Sequence, residues 1–438
     1  MYQIENSGQV LRTREKRRGA RPPFRLSRVR VSQTVLMLGL TSMFTDISAE
    51  MVSTVLPMYL VLNLHLSPLA FGVIDGLYLG AAAIVRLASG FLADRSHRHK
   101  EIAVGGYALS AFSRIGLLLA GGVWPLLASV VLIDRLGKGI RTAPRDAMIS
   151  LSSDRDTLAT SFGVHRALDT AGAMIGPLIA FGLLTLTPGS YDTIFVVSFC
   201  AALIGLGFVT LFVRNPAIAA TTNPDAGSSE APGIPASPSL RAMLALGRDA
   251  RFGPLLLIGS VLGLATVSDG FLYLTLQDRL GFNIGLFPLL YVATALIFML
   301  LAIPIGQLAD RIGRNRVFVG GYLVLIVVYA LLLAPWYGVA QGIVCLVLFG
   351  AYYAATEGVL MALASALLPE RLRTSGLALL TTATNLARLA ASVLFGLLWT
   401  WRDVSTAIWV FLAGLAIATV LAASLLANPR NRTVPHGA

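Results

Sequence analysis

Long apolar runs, separated by short charged or Gly/Pro-containing breaks, follow one another along almost the whole chain. They fall near 34–63, 69–93, 102–123, 125–148, 159–187, 191–213, 254–277, 284–308, 317–336, 339–367, 375–400 and 404–427. A bilayer's hydrocarbon core takes about 20 apolar residues of helix to cross. With no water there to satisfy backbone groups, a spanning segment of this kind must be helical. The pattern therefore predicts an all-α membrane protein with twelve transmembrane helices.

Charge sets the orientation. Ahead of the first run stand Arg12, Arg14, Lys16, Arg17, Arg18, Arg21, Arg25, Arg28 and Arg30, against Glu5 and Glu15. If this tail lies inside, so do the breaks holding Arg95, Arg98, Lys100, Arg155, Arg214, Arg311, Arg314, Arg316, Arg371 and Arg373. The opposite set of breaks holds only Arg279 and Arg402. Lys and Arg gather on the cytoplasmic side of membrane proteins, so both termini are expected in the cytoplasm. The segment 214–252, with Pro224, Gly227, Ser228, Ser229, Pro232, Pro235 and Pro238, has the composition of a flexible linker. Within it, Ser239 to Phe252 alternates apolar residues with Arg241, Arg248 and Arg251, which suits a short helix on the inner membrane surface or an ordinary solvated loop. The expected organisation is a disordered basic tail over 1–31, a six-helix bundle over 32–213, the linker 214–252, a second six-helix bundle over 253–428 and a cytoplasmic tail over 429–438.

The composition agrees: of 438 residues 56% are hydrophobic and 13% charged, with mean hydropathy +0.75. An average soluble domain is about a quarter charged. A formal net charge of +12 could pass for a nucleic-acid footprint. It sits at helix ends instead, and no nucleic-acid partner is expected. The first apolar run is too long for a signal peptide. Cys200 and Cys345 lie inside apolar runs, so neither a disulfide nor a metal site is expected. Gly137-Lys138-Gly139 lacks the strand and spacing of a phosphate-binding loop. No cofactor, enzyme activity or ATP-driven pumping is expected.

The chain repeats itself. Gly90-Phe-Leu-Ala-Asp94-Arg95 recurs as Gly306-Gln-Leu-Ala-Asp310-Arg311, an offset of 216, and Val104-Gly-Gly-Tyr107 recurs as Val319-Gly-Gly-Tyr322, an offset of 215. Two matches at nearly one period imply homologous halves of six helices.

These residues resemble the major facilitator superfamily, over roughly 32 to 428. Gly90, Asp94 and Arg95, and again Gly306, Asp310 and Arg311, resemble that family's gating motif after spans two and eight. In the first copy Ser96-His97 replaces the usual second glycine, whereas the second copy keeps Gly313. Glycine would let a neighbouring helix approach, and the aspartates would cap a helix or pair with Arg. Arg135 with Gly139 in span four resembles the R-x-x-x-G motif of proton-coupled members. The longer string Gly137-Lys-Gly-Ile-Arg-Thr-Ala-Pro-Arg-Asp-Ala147 resembles a bacterial subgroup. Gly172-x-x-x-Gly176-Pro177 in span five resembles the G-x-x-x-G-P motif of exporters and antiporters, and is also a close-packing helix face with a bend at proline.

Ionisable groups in the spans bear on mechanism, because each costs ~2.5–3.5 kcal/mol or more near the bilayer centre. Asp46 and Glu50 stand four apart on span one, on one helix face. Close carboxylates tend to share a proton, so the pair is either a proton relay tuned by Arg135 or a structural pair neutralised by a neighbouring arginine. Asp75 and Arg86 lie nearly on one face of span two, Arg114 is in span three, and His165 and Asp169 stand four apart in span five. Asp269, Glu357 and Arg388 fall in spans seven, ten and eleven.

The resemblance implies a secondary transporter of a small solute working by alternating access in the bacterial cytoplasmic membrane. The expected form is a monomeric, proton-coupled exporter in contact with lipid. Asp75, Arg86, Arg114, Asp269, Glu357 and Arg388 are candidates to line its substrate cavity, with Phe271, Tyr273, Tyr352 and Tyr353 as aromatic surface or packing. Uptake of a small anionic nutrient, with Arg86, Arg114, Arg135 and Arg388 as countercharge, is the alternative. A receptor or scaffold without transport is a further one, disfavoured because buried charges cost stability without use.

Overall fold

The computed structural model describes residues 31–96, 98–153, 158–213, 246–335, 338–368 and 373–427. The basic tail, the linker up to residue 245 with most of the expected surface helix, and the C-terminal tail lie outside them.

Thirteen α-helices are present among the described residues, with no strand. They are α1 Gln33–Met58, α2 Pro68–Ser96, α3 His99–Leu119, α4 Trp124–Leu151, α5 Leu158–Leu186, α6 Tyr191–Leu211, α7 Phe252–Leu264, α8 Asp269–Leu280, α9 Phe287–Ile312, α10 Arg314–Leu333, α11 Val339–Leu367, α12 Arg373–Trp401 and α13 Val404–Ala427. Among the described residues ten stretches are long and apolar enough to cross a membrane, α7 and α8 counting together as one. Helix α4 is not among the ten, since Asp134, Arg135, Lys138, Arg141, Arg145 and Asp146 interrupt it. In α2 only Pro68–Ala82 registers as a shorter apolar helix.

The apolar run 254–277, expected as one span, is broken at 265–268. Ser268 is extended and caps α8, its side chain accepting from the Phe271 N–H, with Asp269 in the first turn. The Val267 N–H, freed from the helix ladder, donates to the Tyr329 hydroxyl at 2.7 Å. A side chain thus replaces the missing backbone acceptor, which is what makes a break tolerable inside an apolar bundle. Gly281, at φ 58, closes α8 in the left-handed region.

The contacts divide the chain into two compact units. The first takes the described residues of Met1–Val55 and Ile84–Pro216, and the second those of Leu56–Ala83 and Ala217–Ala438. In the first unit Val35, Leu38, Ala103, Tyr107, Met148, Ile149, Val209 and Val213 form a core joining α1, α3, α4 and α6. Helices α3 and α4 touch backbone to backbone. A Cβ on Gly106 would stand 2.7 Å from the Gly137 carbonyl oxygen, and one on Gly137 would stand 2.7 Å from the Gly106 oxygen. Gly172 and Gly176 do the same for α5 against α1, opposite Met43 and Ile47.

In the second unit the first half of α2 lies on α12. A Cβ on Gly72 would meet the Ser392 carbonyl oxygen at 2.5 Å and one on Gly76 the Leu389 oxygen at 2.9 Å. Gly396 in turn faces the Pro68 carbonyl. Aromatic rings fill the rest of this unit: Phe271 packs on Phe71 at 4.7 Å and Phe395 at 4.8 Å, and Tyr273 on Tyr291 at 4.5 Å.

Candidate functional site

The first unit holds a buried polar cluster built on α4, whose charged residues recur every three to four positions and so share a face. At the cluster's N-terminal end on α4, Asp134 binds two arginines, with Arg114 Nη2 3.1 Å from Oδ1 and Arg135 closing on Oδ2. Arg114 Nε also donates to Ser48 Oγ on α1 at 3.3 Å, and Ser48 in turn pairs with Ser198 on α6 at 2.9 Å. The Asp134 and both arginine side chains are 3–4% exposed.

About three turns further along α4, Arg145 pairs with Asp146 at 2.9 Å, donates to Ser42 Oγ on α1 at 3.2 Å, and reaches Asp169 Oδ1 on α5 at 4.0 Å. Arg166 holds the other Asp169 oxygen at 3.2 Å. His165 Nε2 lies 2.9 Å from Ser42 Oγ. His165 and Asp169, four apart on α5, thus reach Ser42 on α1 and Arg145 on α4 respectively.

Between these groups, the Asp46 carboxyl on α1 is in hydrogen-bonding contact with the Asp169 carboxyl on α5. Two carboxyl groups so placed repel each other when both are ionised. Lys138 and Arg141 are the cations within electrostatic range of Asp46. Glu50, one turn on, instead accepts from Ser53 Oγ of its own helix at 2.7 Å. The sequence paired Asp46 with Glu50 and set Arg135 beside them. In the structure Asp46 meets Asp169, and Arg135 is taken up by Asp134. Gly139 is buried on α4.

The second unit holds a separate polar group around the α7–α8 break. Asp75 on α2 accepts from Ser392 Oγ on α12 at 2.6 Å and hydrogen-bonds Ser268 at the break. Next to it the Tyr353 hydroxyl donates to Asp269 Oδ1. Glu357 lies near Arg388 and Asp269, and Arg388 is surrounded by Tyr322, Tyr352, Tyr353 and Glu357. Asp75, Asp269, Tyr353, Glu357 and Arg388 are thus brought together. Phe271 and Tyr273 are not part of this group: both are fully buried in ring contacts, and the Tyr273 hydroxyl is used on Thr294. Arg114 belongs to the first unit's cluster.

Of the two gating-type motifs, Gly90, Asp94, Arg95 and also Arg86 fall in α2 where side chains lie outside the described residues. In the second copy Asp310 accepts from Arg314 at 2.9 Å. Gly306 has no described atom within 4 Å of where a Cβ would stand. Asp134, Asp169, Lys138, Arg141, Ser42, Ser48 and Ser392 complete these clusters without having been singled out as site residues. For Asp134, Lys138 and Arg141 the sequence sign is the density of charge in α4, and for Asp169 its spacing of four from His165. Among the described residues no group of His, Cys, Asp and Glu is arranged to hold a metal.

The family profile described as Major Facilitator Superfamily matches residues 38–301 and 267–437. An uncharacterized MFS-type transporter of Methanocaldococcus jannaschii is 31% identical over 403 residues, 90% of this chain and 95% of the relative. An uncharacterized protein of Mycobacterium tuberculosis is 34% identical over 157 residues, 36% of this chain and 38% of that protein. Among solved structures, the nucleoside transporter NupG superposes with TM-score 0.73 at 15% identity, covering 90% of this chain and 99% of that one. A bacterial homolog of the human lysosomal transporter Spinster gives 0.69 at 14%, covering 92% and 98%. The chain belongs to the Major Facilitator Superfamily. It is an integral, multi-pass membrane protein of a family of secondary transporters for small molecules.

Proposed function

We propose that the chain is a proton-coupled secondary transporter of a small solute, working by alternating access across twelve spans with both termini in the cytoplasm of a bacterial cell. Two six-helix bundles, 32–213 and 253–428, would be its moving parts. The observation that carries the coupling is the Asp46–Asp169 carboxyl contact inside a ring of cations. Gain or loss of one proton there changes the charge of a buried cluster, which is what a conformational equilibrium can respond to. Asp46 carries the proton, with Asp169 as its partner. Glu50 stands one turn away, and Arg135 acts from the far side of Asp134.

The span-five motif Gly172-x-x-x-Gly176-Pro177 supports export by antiport as the direction. Uptake of a small anion is the second reading, favoured by a specific feature of α4. Arg114 and Arg135 are engaged by Asp134, yet Lys138 and Arg141 have no ion pair among the described residues. Counterflow in inside-out and right-side-out vesicles separates the two directions. For coupling, the Asp46→Asn/Glu50→Gln double variant in liposomes is expected to lose solute-driven proton movement. Unchanged coupled flux in that variant would refute the assignment.

A further inference from the structure

We propose that Lys138 and Arg141 form the recognition site for an anionic group, a carboxylate or phosphate, on the transported solute. This rests on the transporter reading above and adds the charge of the substrate to it.

The argument begins with which cations are already spoken for. In the first unit Arg114 and Arg135 share Asp134, Arg145 has Asp146, and Arg166 has Asp169. Lys138 and Arg141 make no ion pair and no side-chain hydrogen bond among the described residues. Asp46 is within electrostatic range of both but contacts Asp169, and Asp134, within range of Arg141, is held by Arg114 and Arg135. Glu50 is within electrostatic range of Lys138 but bonds Ser53. Positive charge therefore exceeds negative charge around these two residues.

Burial sharpens the point. Arg141 is 4% exposed, and its Nη1 is fully buried without an acceptor. The hydroxyl of Tyr107, over whose ring the guanidinium sits at 4.8 Å, is likewise buried and unpartnered. Buried donors left unmade are rare in folded proteins, because each forfeits its water without replacement. Here two donors stand side by side with a cation.

The fold puts them there for a reason. Gly106 and Gly137 let α3 and α4 touch backbone to backbone, and Gly106 lies within 3 Å of Arg141 N when a Cβ is placed on it. That contact draws the Arg141 side chain onto the Tyr107 ring. Lys138 stands three positions before Arg141, hence on the same face, and is partly exposed. An anionic group meeting Lys138 would have the Arg141 N–H and the Tyr107 O–H as further donors. A guanidinium fork and an ammonium together suit a carboxylate or phosphate.

The chain has only three lysines, Lys16, Lys100 and Lys138, which makes a direct test possible. Pyridoxal phosphate carries an aldehyde that condenses with an amine, releasing water, beside a phosphate that the site should hold. Pyridoxal has the aldehyde alone. Purified full-length protein in neutral detergent is treated with each, the imine is trapped with borohydride, and the labelled lysine is located by mass spectrometry. Labelling of Lys138 is expected to be about tenfold stronger with the phosphate-bearing reagent, the worth of one charge-assisted hydrogen bond. Inorganic phosphate should protect Lys138, whereas Lys16 and Lys100 should react alike with both reagents. Arg141→Gln should remove the preference and Arg141→Lys retain it.

The proposal is overturned if Lys138 stays unlabelled, if both reagents label it equally, or if inorganic phosphate gives no protection. Protection by phosphatidylglycerol in mixed micelles without protection by phosphate would assign the site to a lipid headgroup and overturn it as well. None of these readouts uses transport, so the anion site can fail while proton-coupled transport stands.

Discussion

Asp46 on α1 and Asp169 on α5 meet carboxyl to carboxyl in a site where each residue is 4% exposed. The two are joined by the same helix contact that Gly172 and Gly176 make possible, since those glycines bring the α5 and α1 backbones together beside the pair. A packing motif and a candidate proton site are therefore one construction. The exporter-type motif in α5 would then act by setting the distance between the two carboxyls.

Asp134 should be the most costly single polar residue to remove from the first unit. Asparagine there would take the Asp134 anion from the buried Arg114 and Arg135, and breaking a buried ion pair from one side costs about 3–5 kcal/mol. Thermal unfolding of Asp134→Asn in detergent is expected to show a large drop in Tm. A variant as stable as the wild type would mean that the two arginines have another counterion.

At the seam between α2 and α12, an added methyl group on Gly72 would stand 2.5 Å from the Ser392 carbonyl oxygen. Gly72→Ala is therefore expected to lower Tm, the backbones having to move apart. Gly182, within α5, has nothing within 4 Å, and Gly182→Ala is expected to be tolerated. Equal effects of the two substitutions, measured side by side, would argue against close packing at Gly72.

Tyr329 is expected to hold the break in span seven. Phenylalanine keeps the ring but leaves the Val267 N–H without its acceptor, a loss of about 1–3 kcal/mol for a buried donor. Unfolding of Tyr329→Phe checks this, and hydrogen exchange at Val267 should rise in the same variant.

The Asp310–Arg314 pair gives a contrast. Its side chains are 63% and 43% exposed, and exposed pairs contribute roughly 0–1 kcal/mol. Arg314→Ala should leave Tm nearly unchanged. If this motif gates transport, the same variant should change flux while leaving stability alone.

The helices were legible because membrane spans write themselves as run lengths. The breaks at Gly281 and Gly313 and the long apolar stretch of α13 needed no tertiary information. The interruption at 265–268 was also present in the sequence, as Ser268-Asp269 is a helix-start signature. It was masked by the hydropathy on both sides. The site was less legible. Helical spacing put Asp46 and Glu50 on one face, but which carboxyl meets Asp46 is decided by a residue 123 positions away. Likewise Arg135 drew attention through its motif, although its neighbour Asp134 takes it up. Lys138 and Arg141 emerge only after every ion pair around them has been assigned. Phe271 and Tyr273 appeared in the sequence as candidate surface because aromatic residues serve both cavities and cores, and only burial distinguishes the two.

Coupled flux in single variants tests the central claim most directly. Once a stabilising solute has been found by thermal-shift screening, wild type, Asp46→Asn and Glu50→Gln are reconstituted in liposomes containing a pH-sensitive dye, and solute-driven proton movement is recorded. Asp46→Asn is expected to abolish it and Glu50→Gln to retain it. Wild-type proton movement in Asp46→Asn would contradict the assignment of the coupling proton to the Asp46–Asp169 pair.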